Sequence, residues 1–199
     1  GGRLALLSEQ RELEALSDRW ALRIESAEHD RTPGLSRPPA FPDESAGIAA
    51  AWLCDRSGKV VESWTALPRE SVHGNHRSWS AVLEEAGREL ADSATGAPAA
   101  LAEIGSRLVL VARRPLTNGR VLWLARALDA KLLARIGETI GGKVVVMPAE
   151  QVPRGALEDD SATHALWPTA DDSLAVAWPA VSASGRTLGY FRADLPVVS

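Results

Sequence analysis

Two apolar runs, 107–116 and 120–128, flank a short stretch made of Thr117, Asn118 and Gly119. An Asn-Gly pair between two such runs is among the strongest local signals for a β-hairpin, because both residues tolerate the positive φ of a tight turn. We therefore predict two adjacent antiparallel strands here. This prediction constrains the rest of the chain, since every other segment must be arranged around an antiparallel pair.

Two more hairpins are predicted from the same kind of pattern. The apolar run 48–54 is followed by turn residues 55–58 and by the strand-like run 59–64. Near the end of the chain, runs 174–181 and 187–195 are separated by a short turn. Alternation of strand-forming runs with turn residues indicates antiparallel pairing in both places.

The N-terminal segment 4–29 has the pattern of an amphipathic helix. Its apolar residues are spaced by threes and fours, with charged residues between them, which places them along one face. They are Leu4, Leu7, Leu13, Leu16, Trp20 and Ile24. A helix of about seven turns is long for a globular domain. We expect it to carry movement or to pair with a second copy of the chain.

Two shorter helices are predicted at 78–93 and 130–139, where Ser78 and Asp129 are suitable N-caps. The β-branched run 143–147 then predicts a further strand. Hairpins interspersed with helices indicate an α+β fold, in which helices pack on an antiparallel sheet, rather than a doubly wound parallel sheet.

The length of 199 residues favours one elaborated domain over two. We expect the long helix of 1–30 to pack on a sheet formed within 47–199, with additional helices. A proline-rich stretch, 33–42, connects the two parts. Because the chain opens with Gly1 and Gly2 directly on a helical pattern, we also expect it to be part of a longer protein.

Composition excludes several classes of function. A net charge of -4 argues against nucleic-acid binding, because such binding needs Lys and Arg clustered on one face. The single cysteine, Cys54, excludes an internal disulfide and a zinc-thiolate cluster. No apolar stretch approaches the ~20 residues that a membrane-spanning helix requires.

Four stretches of the chain carry a family resemblance. They are 16–21 (LSDRWA), 52–61 (WLCDRSGKVV), 110–116 (LVARRPL) with 121–129 (VLWLARALD), and 187–196 (TLGYFRADLP). Together they are similar to the fourth class of CHASE-type domains, the extracellular sensory modules that precede histidine kinases and diguanylate cyclases. The resemblance covers most of the chain, and it departs from the family at Arg23 and Ile24, where a second Trp-Asp pair is usual.

The resemblance implies a PAS/Cache-like sheet and a non-catalytic, ligand-sensing function in the periplasm. It further implies that flanking transmembrane segments tether the domain to the inner membrane, and that the parent protein carries a kinase or cyclase of a signal-transduction system. A homodimer formed through the N-terminal helix is the expected assembly. No cofactor is expected.

Arg113 and Arg114 lie in a predicted strand with apolar neighbours. Alternation should direct one of them inward and the other to solvent. An inward guanidinium needs a carboxylate, a set of carbonyl oxygens or an anionic ligand, because an unpaired buried charge is costly. The pair therefore predicts either capture of a small anion or an internal ion pair. Arg126, on the partner strand, can reach the same pocket.

Seven tryptophans are many for a chain of this length. We expect Trp20 and Trp79 to line a ligand cleft between helix and sheet. The residues expected to pack in the core are Trp52, Trp64, Trp123 and Trp178.

No nucleophile elbow, phosphate-binding loop or metalloprotease motif occurs in the sequence. His73, His76 and the acidic run 158–160 are interpreted as surface-loop residues rather than metal ligands. Two alternatives to a sensor remain. One is a small enzyme acting on an acidic or aromatic metabolite, and the other is a purely structural dimerisation domain.

Overall fold

The computed structural model describes residues 2–29, 47–67, 78–91, 100–153, 164–169 and 173–196. Within these residues the α-helices are α1 (Gly2–His29), α2 (Trp79–Ala91) and α3 (Ala130–Ile140). The strands of the same residues are β1 (Ala50–Cys54), β2 (Val60–Thr65), β3 (Leu101–Ile104), β4 (Arg107–Pro115), β5 (Val121–Ala127), β6 (Lys143–Met147), β7 (Ala165–Pro168), β8 (Ser173–Val181) and β9 (Thr187–Pro196). The predictions made for 33–42, His73, His76 and 158–160 concern segments outside the described residues.

The strands form two antiparallel sheets. Sheet A has the order β2-β1-β5-β4-β3, and sheet B has the order β6-β9-β8-β7. The α+β class is therefore confirmed, as are the three predicted hairpins. The division into two sheets was not predicted, because β5 pairs with β1 across about 70 residues of chain and β6 pairs with β9 rather than with its sequence neighbours.

Sheet A is covered by a helix on each face. Leu110, Leu122 and Leu124 point towards α1, and their neighbours Val109 and Trp123 belong to a separate core beneath α2. Successive side chains of a strand face opposite sides, so the two hairpins of sheet A, β1-β2 and β4-β5, contribute to both cores. Sheet A is thus the middle layer of three.

Sheet B shares its core with α1 and α3. Phe191 and Ala193 of β9 belong to the same buried cluster as Ile136 of α3 and Leu13 of α1. The turn between β8 and β9 also reaches sheet A, where Ser182 bridges to Leu101 of β3. Helix α1 is therefore the element that packs against both sheets through one continuous core.

Caps and turns follow the predicted chemistry. The Asp129 carboxylate accepts a hydrogen bond from the Leu132 N–H at 2.8 Å, and Gly141, with φ 77°, is the C-cap that follows Ile140. The Ser78 hydroxyl accepts from the Ala81 N–H at 3.3 Å. These contacts satisfy N–H groups that a helix leaves unpaired in its first turn.

The predicted face of α1 is buried at Leu13, Trp20 and Ile24 but not at Leu4. Leu4 is 70% exposed, whereas Leu6, Leu13 and Trp20 are buried. None of the described helices has the length and hydropathy needed to span a membrane.

Candidate functional site

The five residues predicted to bind a ligand fall on opposite faces of sheet A. Trp20, Arg114 and Arg126 lie on the side of α1. Arg113 and Trp79 lie on the side of α2. Because a paired sheet separates the two groups, these residues do not form one site. A pocket can therefore use only the residues that lie on one face of the sheet.

Arg113 and Arg114 are both exposed, so the prediction that one guanidinium is buried is wrong. Arg113 lies over the Trp123 ring, 5.8 Å from its centroid, and Arg114 Nε is 3.3 Å from the Asp18 carboxylate. Alternation does direct the two side chains to opposite faces. Both nevertheless reach solvent, because residues 113–115 end β4 beyond the buried part of the strand.

Arg126 on this face is largely covered, with 11% of its side chain exposed. Its Nη1 donates to Glu9 Oε2 at 2.9 Å and lies 3.4 Å from Glu12 Oε2. Arg135 of α3 also donates, through Nη2, to Glu9 Oε2. We call Glu9, Glu12, Arg126 and Arg135 the α1 charge cluster. It joins α1 to β5 and to α3.

The α1 charge cluster contains two carboxylates and two guanidiniums, so its formal charges balance. Glu9 and Arg126 are shielded from water, since only 10% and 11% of their side chains are exposed. Glu12 lies at the edge of the cluster, with 56% of its side chain exposed. The Arg126 Nε is buried and has no hydrogen-bond partner among the described residues. An unsatisfied buried donor of this kind costs about 1–3 kcal/mol.

Two polar residues next to the cluster occupy core positions of α1. The Gln10 Nε2 donates to the Val111 carbonyl oxygen at 3.0 Å, and the Gln10 Oε1 is buried without a partner in the described part of the chain. Ser17 is buried and donates to the Glu14 carbonyl oxygen of its own helix at 2.7 Å. The face of α1 that meets sheet A is therefore partly polar.

Sequence reasoning missed this polar face, although a signal was present. Gln10 and Ser17 fall between the buried residues Leu6, Leu13 and Trp20 at spacings of three or four. Polar residues at core positions of an amphipathic stripe need partners across the interface. Glu9 lies beside Gln10 and could have been recognised in the same way. Arg135, by contrast, comes from another element, and only the folded arrangement brings it here.

Further along α1, a third polar contact reaches the hairpin of β4 and β5. The Glu25 carboxylate accepts a hydrogen bond from the Thr117 N–H at 2.6 Å. This bond lowers the pKa of Glu25, with a smaller lowering effect from Arg114. Polar contacts thus extend from Glu9 near the start of α1 to Glu25 near its end.

The α2 face of sheet A has a different chemistry. Trp52 and Trp123 stack with their ring centroids 5.8 Å apart, and both are buried, which confirms the prediction that they pack in the core. Cys54 belongs to the same cluster. Burial, together with Glu84 and Asp55, raises the pKa of its thiol to about 11. The thiol is therefore protonated and weakly nucleophilic at neutral pH.

Of the remaining aromatic residues, Trp64 and Trp178 are partly buried against the core that α1 shares with the sheets, as expected. Trp20 is buried in the same core. Trp79 is partly buried at the start of α2. A groove of about 500 Å³ lies between α3 and β6, and none of the predicted ligand-binding residues is among those that line it.

Within the described residues, no three His, Cys, Asp or Glu side chains come together in a way that could hold a metal ion. No family model matches the chain, and no curated protein matches it.

Proposed function

We propose that the chain is the extracytoplasmic sensing domain of a membrane-anchored bacterial receptor. Two things support the proposal: the resemblance to the fourth class of CHASE-type domains and the way in which α1 is attached to the rest of the molecule. In this proposal the domain is periplasmic and non-catalytic. Transmembrane segments of the parent protein flank it, and an output domain such as a histidine kinase or a diguanylate cyclase responds to it.

The observation that carries the proposal is the contact between α1 and the body of the domain. A purely structural helix is usually held by apolar packing of an amphipathic face. Here α1 is also held by Glu9, Gln10 and Glu25, which contact β5, β4 and the turn between them. Such directional bonds favour one position of the helix and are lost together when it shifts. A helix held in this way can report a change in the sheet to a distant site.

A small anionic ligand is the proposed signal. The cationic groups on the α1 face, Arg114 and Arg126, are already paired with carboxylates of α1. A ligand anion that engages either arginine must therefore compete with α1. A tenfold shift between two arrangements requires only about 1.4 kcal/mol of differential binding, which a few charged contacts provide.

The proposed assembly is a homodimer through α1. Leu4 and Leu22 are exposed on the side of the helix away from the core, 18 residues apart. At 3.6 residues per turn this separation is five full turns, so both leucines lie on one line along the helix. Leu22→Glu should weaken association, measured by sedimentation velocity, and Leu166→Glu, at an exposed leucine of sheet B, is the matched control.

The experiment that tests the sensor proposal is a chimera in which this chain replaces the sensor domain of a membrane-bound reporter kinase. We expect Glu9→Gln to change the basal output at least threefold, because it weakens the contact that positions α1. Lys131→Gln, which alters an exposed charge of α3, should leave the output unchanged. If Glu9→Gln is folded and expressed but gives wild-type output, the position of α1 does not control signalling.

A further inference from the structure

The two arginines of the α1 charge cluster converge on a single oxygen atom. Arg126 Nη1 and Arg135 Nη2 both donate to Glu9 Oε2. They come from different elements, β5 and α3, and both elements belong to the body of the domain rather than to α1. The arginine pair therefore belongs to the body, and the carboxylate that it holds belongs to the helix.

The hydrogen-bonding capacity of Arg126 is only partly used by Glu9. A guanidinium carries five N–H donors and favours bidentate pairing with two oxygens. Arg126 contacts Glu9 and Glu12 through Nη1 alone, and its buried Nε has no partner in the described part of the molecule. An anion with more oxygen atoms in this position would satisfy donors that Glu9 leaves free.

We propose that Arg126 and Arg135 form a receptor for small dicarboxylates, and that Glu9 occupies it as a tethered internal ligand. A dicarboxylate that binds the two guanidiniums displaces the Glu9 carboxylate and breaks its contact with β5 and α3, so that the first half of α1 is held there by apolar packing through residues such as Leu6 and Leu13. This inference deepens the proposed sensor function and rests on it for its biological role. The competition between Glu9 and an added anion can be measured on the isolated domain.

Geometry gives the anion a path to the site. Glu9 and Arg126 are almost fully buried, whereas 47% of the Arg135 side chain is exposed. The cluster is thus open to solvent on the side of α3. A first carboxylate can pair with Arg135 at the surface before a second one replaces Glu9 at Arg126. Glu12 is a weaker competitor, because it lies farther from both guanidiniums and is more exposed.

Competition by a tethered group explains why a dicarboxylate is a better ligand than a monocarboxylate. A group on the same chain acts at an effective concentration of about millimolar or above, so a single added carboxylate competes poorly. A dicarboxylate binds both guanidiniums at once and can use the free Arg126 Nε. Removing the carboxylate of Glu9 should therefore expose a latent, high-affinity anion site.

The test is isothermal titration calorimetry with malonate at neutral pH and constant ionic strength. It compares the wild type with Glu9→Gln, with Arg135→Gln and with the double variant that carries both substitutions. We expect Glu9→Gln to bind malonate at least tenfold more tightly than the wild type. The double variant should lose that gain, because Arg135 supplies half of the receptor. Lys131→Gln, which removes a neighbouring positive charge from α3, should bind as the wild type does.

Hydrogen exchange of α1 distinguishes displacement from simple surface binding. Malonate should accelerate exchange of the amides in residues 2–13 at least threefold in the wild type and have no further effect in Glu9→Gln. If Glu9→Gln folds poorly, malonate should restore its folded fraction, and the double variant should not respond.

Equal malonate affinity in the wild type and Glu9→Gln would overturn the inference, as would a gain that survives Arg135→Gln. Binding that leaves α1 exchange unchanged in the wild type would overturn it as well. Each of these results concerns the anion receptor alone. The sensor proposal would still be decided by the reporter chimera, in which the position of α1 is altered without any anion.

Discussion

Arg126 and Glu9 face each other across the interface between α1 and β5, where little water reaches them. Removing one member of such a pair is far more costly than removing both, because the remaining charge stays buried without a partner. The exposed Arg135 compensates Glu9 in part, since it also pairs with that carboxylate. The pair therefore fixes the position of α1 on β5 as much as it stabilises the folded state.

The buried pair of Arg126 and Glu9 can be tested with single and double variants. Arg126→Met should lower the free energy of unfolding by about 3 kcal/mol, because Glu9 is left with one exposed partner. Adding Glu9→Met should recover at least half of that loss, since no buried charge then remains. Urea denaturation followed by circular dichroism measures both values. A double variant that is less stable than either single variant would contradict the account.

Two helical glycines differ in the space around them. A Cβ at Gly87 of α2 would lie 3.6 Å from the Trp52 Nε1, an ordinary van der Waals contact. A Cβ at Gly137 of α3 would overlap the Gly142 carbonyl oxygen, which follows directly after the end of the helix. Gly87 therefore tolerates a methyl group, and Gly137 does not.

Gly87→Ala should accordingly raise the free energy of unfolding by about 0.5–1 kcal/mol, the usual difference between glycine and alanine in a helix interior. Gly137→Ala is the matched control and should lower it, because the turn into β6 must shift. Thermal unfolding of both variants provides the comparison. Destabilisation by Gly87→Ala would show that the core beneath α2 has no room for the methyl group.

At the scale of elements, two carboxylates organise turns through their charged forms. Asp55 accepts hydrogen bonds from the Ser57 hydroxyl, the Ser57 N–H and the Lys59 N–H, and these bonds lower its pKa. Glu25 holds the Thr117 N–H in the same way. Both groups have a lower pKa when folded than when unfolded, so each favours the folded state above its unfolded pKa.

The sign of the pH dependence follows from these shifts. The stabilisation is present at neutral pH and is lost as the pH falls below about 4, where the unfolded carboxyl groups bind protons first. In the variants Asp55→Asn and Glu25→Gln, the free energy of unfolding should therefore fall less steeply than in the wild type between about pH 5 and pH 2. Denaturation at a series of pH values checks this. An acid sensitivity equal to that of the wild type would contradict the assignment.

Most elements were predictable because their signals are local. The Asn-Gly hairpin, the Asp129 cap and the run 143–147 all depend on residues close together in the chain. Strands β3 and β7 were missed, since each has only four residues and lies at a sheet edge. So few residues carry almost no periodicity.

The candidate site was less predictable than the fold. Arg126 was identified, but its partners Glu9 and Glu12 come from α1, more than 100 residues away along the chain, and Arg135 of α3 joins them by pairing with Glu9. The separation of Arg113 from Arg114 followed from strand alternation, whereas their exposure depends on where the helices stop covering the sheet. Sequence patterns determine the face of a strand more reliably than the depth of its burial.

At the scale of the whole molecule, contacts of two kinds among the described residues connect the sheets. One is the shared core around α1, which includes Leu13 and Phe191. The other is the turn between β8 and β9, where the Ser184 hydroxyl contacts Glu89 of α2 at 2.8 Å and Arg186 lies 3.6 Å from Glu103 of β3. Movement of α1 therefore affects the first contact and leaves the second in place.

The polar contacts of α1 with sheet A and α3 make it a separable element, although it also shares an apolar core with both sheets. Native-state hydrogen exchange at increasing denaturant concentration tests this separability most directly, because this method gives the opening free energy of each element. We predict that α1 opens at a lower free energy than β4 and β5, and that Glu9→Gln lowers the value for α1 alone. Exchange of α1 only through global unfolding, at the same free energy as β4 and β5, would contradict the account.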